Sequence, residues 1–139
     1  MALIPIAKQG NYLHIYDFKV DKDHIEDFIR LFNEFDYGDN NPMHKSAAQV
    51  KDGALVQDVA DPTRFWLIGE WADIQEHARI RKILAEELRP TFIKHIVGGN
   101  FVPAYGMVVS STPQDILDKA SKSKVPKKPA KKKAAKKKK

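Results

Sequence analysis

The sequence contains no cysteine. That excludes a disulfide framework, a thiolate metal site and a cysteine nucleophile. No apolar run approaches the roughly 18–20 residues that span a bilayer. The apolar opening, Met1 to Ala7, lacks a basic flank and the length of a signal core, and Lys8-Gln9-Gly10 follows at once. The expectation is a soluble, cytoplasmic protein. A phosphate-binding glycine loop is also missing, since Gly98-Gly99 sits where a helix should stop. No histidine pair has metal-ligand spacing backed by a carboxylate, so no metal is expected.

Acid is absent from one whole stretch. Residues 119–139 hold twelve of the 24 basic residues and not one Asp or Glu. Residues 1–118 therefore carry 12 basic and 18 acidic residues, a net −6, although the whole chain is +6. The sequence divides into an acidic body over 1–118 and a basic tail over 119–139. The tail cannot bury apolar surface and repels itself, so its composition predicts disorder. It also lacks arginine and aromatics. Its Lys127, Lys128, Lys131, Lys132, Lys133, Lys136 and Lys137 can neutralise phosphates but cannot read base edges or stack on bases. Nucleic-acid contact through it would be weak, non-specific and salt-sensitive. An anionic membrane offers similar attraction, but no acyl signal or amphipathic anchor accompanies it, so no stable membrane association is expected. The competing reading is a solvated tail that aids solubility or folds back on the acidic body.

The body shows clear periodicity. Residues 12–20 alternate as a strand, with Leu13, Ile15, Asp17 and Lys19 on one face and Tyr12, His14, Tyr16 and Phe18 on the other. Asp21 or Asp23 can cap a helix whose Ile25, Phe28, Ile29, Phe32 and Phe35 form one apolar stripe. That helix should end near Gly38. Residues 43–53 read as loop or as a poor edge strand. Ala54 to Ala60 reads as a strand, Asp61-Pro62-Thr63 as a turn, and Arg64 to Trp71 as the next strand. This third strand is apolar on both faces, with Phe65, Leu67 and Trp71 on one and Trp66 and Ile68 on the other. Such a strand needs cover on both sides, and a chain this short leaves a partner subunit as the candidate for the second. Asp73 starts another helix that Pro90 ends. A short helical piece follows over 91–97, then a strand over 100–109 with Pro103 at an edge or bulge. One more turn is expected from Gln114 to Ala120. The order β-α-β-β-α-β is that of an α+β, ferredoxin-like fold with helices on one face of an antiparallel sheet.

The segment Gly53 to Trp71 resembles the core signature of the antibiotic biosynthesis monooxygenase superfamily, the dimeric α/β-barrel proteins. The matching residues are Gly53, Asp61-Pro62, Phe65, Trp66, Glu70 and Trp71. Glu70 and Trp71 are adjacent here, whereas the family often has a spacer between them. The resemblance covers about residues 10–110. It implies a homodimer whose sheets face each other in a barrel, with a pocket between helices and sheet in each subunit. It further implies a cofactor-independent oxygenase, without metal or flavin, for a phenolic, quinol or polyketide-type aromatic. Haem-degrading members carry an Asn on the first strand, where Tyr16 stands here, and a helix histidine at the position of Ile80. Haem chemistry is therefore not expected.

Cofactor-free oxygenation needs a dry aromatic pocket, a base, and a donor for the developing oxyanion. His14 is the candidate base, Tyr16 could orient a phenolate, and Trp71 could stack on a ring. Tyr12, Phe18, His44 and His77 complete the candidate pocket. The same residues also read as core or interface aromatics with satisfied polar tips. Without turnover, the chain reads as a dimeric barrel that binds a small apolar ligand.

Overall fold

The structure, a computed structural model, describes residues 1–99 and 101–123. It divides into two units, Gln9–Val109 and a smaller one that joins Met1–Lys8 to the segment from Ser110. The expected lysine contacts at Lys127 to Lys137 lie outside the described residues.

In the larger unit, β1 (Tyr12–Lys19), α1 (Ile25–Asp36), β2 (Gln49–Gln57), β3 (Arg64–Trp71), α2 (Ile74–Ile83) and β4 (Pro103–Met107) follow in order. The four strands form one antiparallel sheet in the order β2-β3-β1-β4. This is the α+β, ferredoxin-like arrangement. Pro103 begins the edge strand β4, where a missing backbone donor costs least.

Alternation along β1 sorts its side chains as expected. His14, Tyr16 and Phe18 are buried, while Asp17 and Lys19 are exposed. Phe18 pairs with Phe65 and Tyr16 with Leu67 across β1 and β3. On that face α1 lays down Phe28 and Phe32, and Phe92 closes the cluster. Phe28 is fully buried, and its ring meets those of Phe18, Phe65 and Phe92 at centroid distances of 5.6, 5.2 and 5.9 Å. An aromatic buried this way contributes roughly 2–3 kcal/mol from area alone.

Three local expectations change. The second strand runs over Gln49–Gln57 rather than 54–60, with register shifts between Gln49 and Ala54. Pairing to β3 extends it backwards through sequence that has no alternation of its own. Asp58 and Asp61 instead fold the following stretch into turns by accepting from the backbone N–H of Ala60 and Thr63. The Asp21 carboxylate bonds the Asp23 N–H, so α1 begins after His24 with no side-chain cap. Asp73 does cap α2, accepting from Gln75 N–H at 3.0 Å. Beyond α2 the chain widens into a turn closed by Arg89 N–H to Leu84 O, and Arg89 takes φ 46° before Pro90.

The other sheet face carries Leu13, Ile15, Trp66 and Ile68, each only partly buried. The Arg64 guanidinium lies 4.9 Å from the Trp66 ring centroid, held by two bonds to Asp17. In the smaller unit, α3 spans Gln114–Ser121. There Ser111 donates to Ala7 O and Gln114 to Leu3 O. No helix of the described residues is long and apolar enough to cross a membrane.

Candidate functional site

His14 sits at the centre of the sheet, opposite Gly69 on β3 and Tyr105 on β4. Its ring lies over two glycines. A Cβ on Gly69 would come 2.7 Å from His14 Cε1, and one on Gly53 would come 3.4 Å from Nε2. The glycine inside the aromatic strand RFWLIGEW is thus the space the imidazole occupies.

Trp71 fixes the state of that imidazole. Its Nε1–H donates to His14 Nδ1 at 2.8 Å. An indole nitrogen only donates, so Nδ1 must accept, and the neutral ring carries its proton on Nε2. Burial lowers the His14 pKa to about 4, against an opposing pull from Asp52. Near neutrality His14 is therefore a neutral donor with no free lone pair. The expected role of base does not suit this geometry. The Nε2 atom is buried and meets no hydrogen-bond partner among the described residues.

His77, from the first turns of α2, stacks on His14 at 4.4 Å between centroids. Its two nitrogens face the hydroxyls of Tyr105 at 2.9 Å and Tyr16 at 3.4 Å. Burial, then His14 and Arg81, lower its pKa to about 3. Burial raises Tyr16, although Arg81 pulls the other way. Tyr105 is raised by burial as well. None of these groups is a base near pH 7.

A cavity of about 60 Å³ adjoins these side chains. His14, Tyr16, His77 and Phe101 line its buried part, and Asp36, His44 and Asp52 line the part nearer solvent. Carboxylates accept only, so His44 Nε2 donates to Asp52 Oδ1 at 2.8 Å, with Asp36 Oδ1 3.4 Å away. Buried Asn41 donates to Asp36 at 3.2 Å. The Asp36 pKa is raised, first by burial and then by Asp52. Asp36, His44 and Asp52 hold possible ligand atoms within 4.8 Å of one another, as do His24, Asp27 and His95 elsewhere. A hydrogen bond joins His44 to Asp52 in the first group and His24 to Asp27 in the second, where the His95 ring also stacks on His24.

Of the residues expected at a pocket, His14, Tyr16, His44 and His77 line the cavity, while Trp71, Tyr12 and Phe18 do not. Trp71 is fully buried and orients His14 rather than presenting a face to a ring. Tyr12 is half-buried at the start of β1, paired with Trp71 and Met107. Phe18 belongs to the phenylalanine core. Asp36, Asp52 and Tyr105 were not anticipated, because they reach the site from separate elements without a local pattern, and Arg81, four residues after His77 on α2, was not read either. Gly53 and Gly69 are the sequence signals of this close approach.

No protein-family profile matches the chain, and no curated protein does. Solved structures do resemble it. A dimeric ferredoxin-like protein from an uncultured marine organism superposes with a TM-score of 0.58 at 15% identity, over 76% of this chain and 93% of its own. A conserved protein from Methanosarcina mazei Go1 gives 0.54 at 13% identity, over 70% and 91%. A structure named antibiotic biosynthesis monooxygenase gives only 0.45 at 16% identity, over 73% and 96%, a likeness too slight to bear on chemistry. At these identities the likeness establishes the ferredoxin-like fold, and chemistry has to be argued from the site.

Proposed function

We propose that the cavity binds a single-ring phenol or quinol and that the chain oxygenates it without metal or flavin, as a small monooxygenase. The observation that carries this reading is His14, which lines a largely apolar cavity and whose buried Nε2–H has no partner among the described residues. A substrate oxygen placed there gains a hydrogen bond that strengthens as the oxygen becomes anionic. The phenolic proton passes to solvent water, and the anion then passes an electron to O₂. For a hydroquinone, one oxygen atom enters the ring and the other leaves as water, giving a hydroxyquinone. The cavity, about 60 Å³, is smaller than the roughly 150 Å³ that encloses benzene, so in this reading it takes the oxygen-bearing end of the ring while the rest extends toward the solvent side.

The chain is proposed to work as a homodimer. Its partly buried Leu13, Ile15, Trp66 and Ile68 cluster on one sheet face, and one fold relative is named as dimeric. One observation favours a second reading, a non-catalytic barrel that holds a small apolar ligand. Both buried histidines have pKa values too low to serve as bases near neutrality. Oxygen uptake with a panel of hydroquinones separates the two. The proposed enzyme consumes O₂ above background and loses at least tenfold in rate with His14→Gln. If no substrate is consumed, the oxygenase reading is wrong and the ligand-binding one stands.

A further inference from the structure

The cavity is electrically unequal along its length. At its buried part lies His14, a neutral imidazole whose Nε2–H is buried and without a partner among the described residues, and the Arg81 cation acts on Tyr16 and His77. Nearer solvent two carboxylates stand together. Asp36 is the last residue of α1, and that helix has no basic residue in its last turn. The unpaired carbonyls of a helix C-terminus add negative potential at the same place. Asp52 comes from β2, and a single histidine, His44, lies between the two. The rise in the Asp36 pKa partly records the repulsion from Asp52.

From this we propose that the site selects its ligand by charge. The ligand places an oxygen acceptor against His14 Nε2–H and a hydroxyl or protonated amine against Asp36 and Asp52. A ring ending in a carboxylate is rejected. The inference rests on the reading of the cavity as a ring-binding site and adds the substrate class. Two independent features support it. The buried donor specifies an acceptor on the ligand, because an unmade hydrogen bond at a buried donor is costly. The paired carboxylates specify a donor or a cation, because a third carboxylate there meets like charge at short range. Specificity then comes as much from repulsion of the wrong ligand as from attraction of the right one.

Three phenols of one ring test this by calorimetry at pH 7.5 with the full chain. They are tyramine, p-cresol and 4-hydroxyphenylacetate. Tyramine is expected to bind at least tenfold tighter than 4-hydroxyphenylacetate, with p-cresol between them. Asp52→Asn should shrink that ratio, and Asp36→Asn combined with Asp52→Asn should abolish it. Thermal unfolding checks that each variant is folded, and the Asp52 single variant suffices if the double one is not. Raising the salt concentration should also compress the ratio, most strongly for the solvent-side group. If p-cresol binds but the two charged ligands bind equally, charge selection is refuted and the ring-binding reading survives. A ratio unchanged in the asparagine variants refutes it as well. If no phenol binds, the ring-binding reading fails and takes this inference with it.

Discussion

Lowering the pH from 7.5 to 5 should destabilise this fold through two side chains. His14 and His77 are 4% and 1% exposed, with pKa values of about 4 and about 3 against 6.5 in the unfolded chain. In both cases burial is the main cause. The unfolded chain therefore binds each proton first. The stabilisation is fully present above pH 6.5 and is lost as pH falls toward the folded values. Linkage gives a loss of roughly 1 kcal/mol per histidine by pH 6 and roughly 2 by pH 5. The two together remove about 4 kcal/mol, a large part of the 5–15 kcal/mol typical of a domain. The Tm should drop by on the order of 15 °C. Of two carboxylates with shifted pKa values, one acts below this window and one opposes the histidines. Asp61, held to about 2 by bonds from Thr63 and Lys19, loses its contribution only below its unfolded value of 3.8. Asp36, whose pKa is raised, acts in the opposite sense and gains as acid is added. Urea unfolding at pH 7.5, 6 and 5 measures the slope. His77→Gln can still bond Tyr16 and Tyr105 and should about halve it, whatever its absolute stability. A flat wild-type profile between pH 6.5 and 5 would refute the burial argument. A slope unchanged in His77→Gln would refute its assignment.

Gly69→Ala puts a Cβ 2.7 Å from His14 Cε1 and 3.1 Å from the Gly53 backbone, which cannot yield. It should cost roughly 1–3 kcal/mol in urea unfolding and shift the Trp71 indole N–H resonance as the bond to His14 is strained. Wild-type values for both would show that the imidazole is not confined as described. On the opposite sheet face, Ile68→Glu places a charge among Leu13, Ile15 and Trp66. Light scattering should find a dimer for the native chain and a monomer for this variant. A native monomer would overturn the dimer proposal.

Much of the scaffold was legible before any coordinates. Alternation in YLHIYDFK placed His14, Tyr16 and Phe18 together on the buried face, because successive strand residues point to opposite sides. The phenylalanine spacing of α1 identified Phe28 and Phe32 as core. The strand β2 was harder to read. It pairs with β3 alone at the sheet edge, and its register shifts break the two-residue period that would have announced it. The site was half legible. His14 and Tyr16 were visible as neighbours on one strand, and His77 as a residue of the second helix. The role of Trp71 was not, since the direction of its N–H depends on a contact across 57 residues.

Local chemistry along the chain was enough to specify the order of elements, the buried faces of β1 and α1, and the division in composition between an acidic body and a lysine-rich end. These follow from short-range periodicity and composition, which need no knowledge of distant neighbours. The proton on His14 Nε2, the low basicity of both buried histidines and the meeting of Asp36 with Asp52 are of another kind. Each depends on desolvation or on a partner brought from far along the chain, and folding alone supplies those. The chemistry proposed here rests on that second set: a buried donor left without a partner on a residue that lines a cavity, and two carboxylates set together nearer its opening.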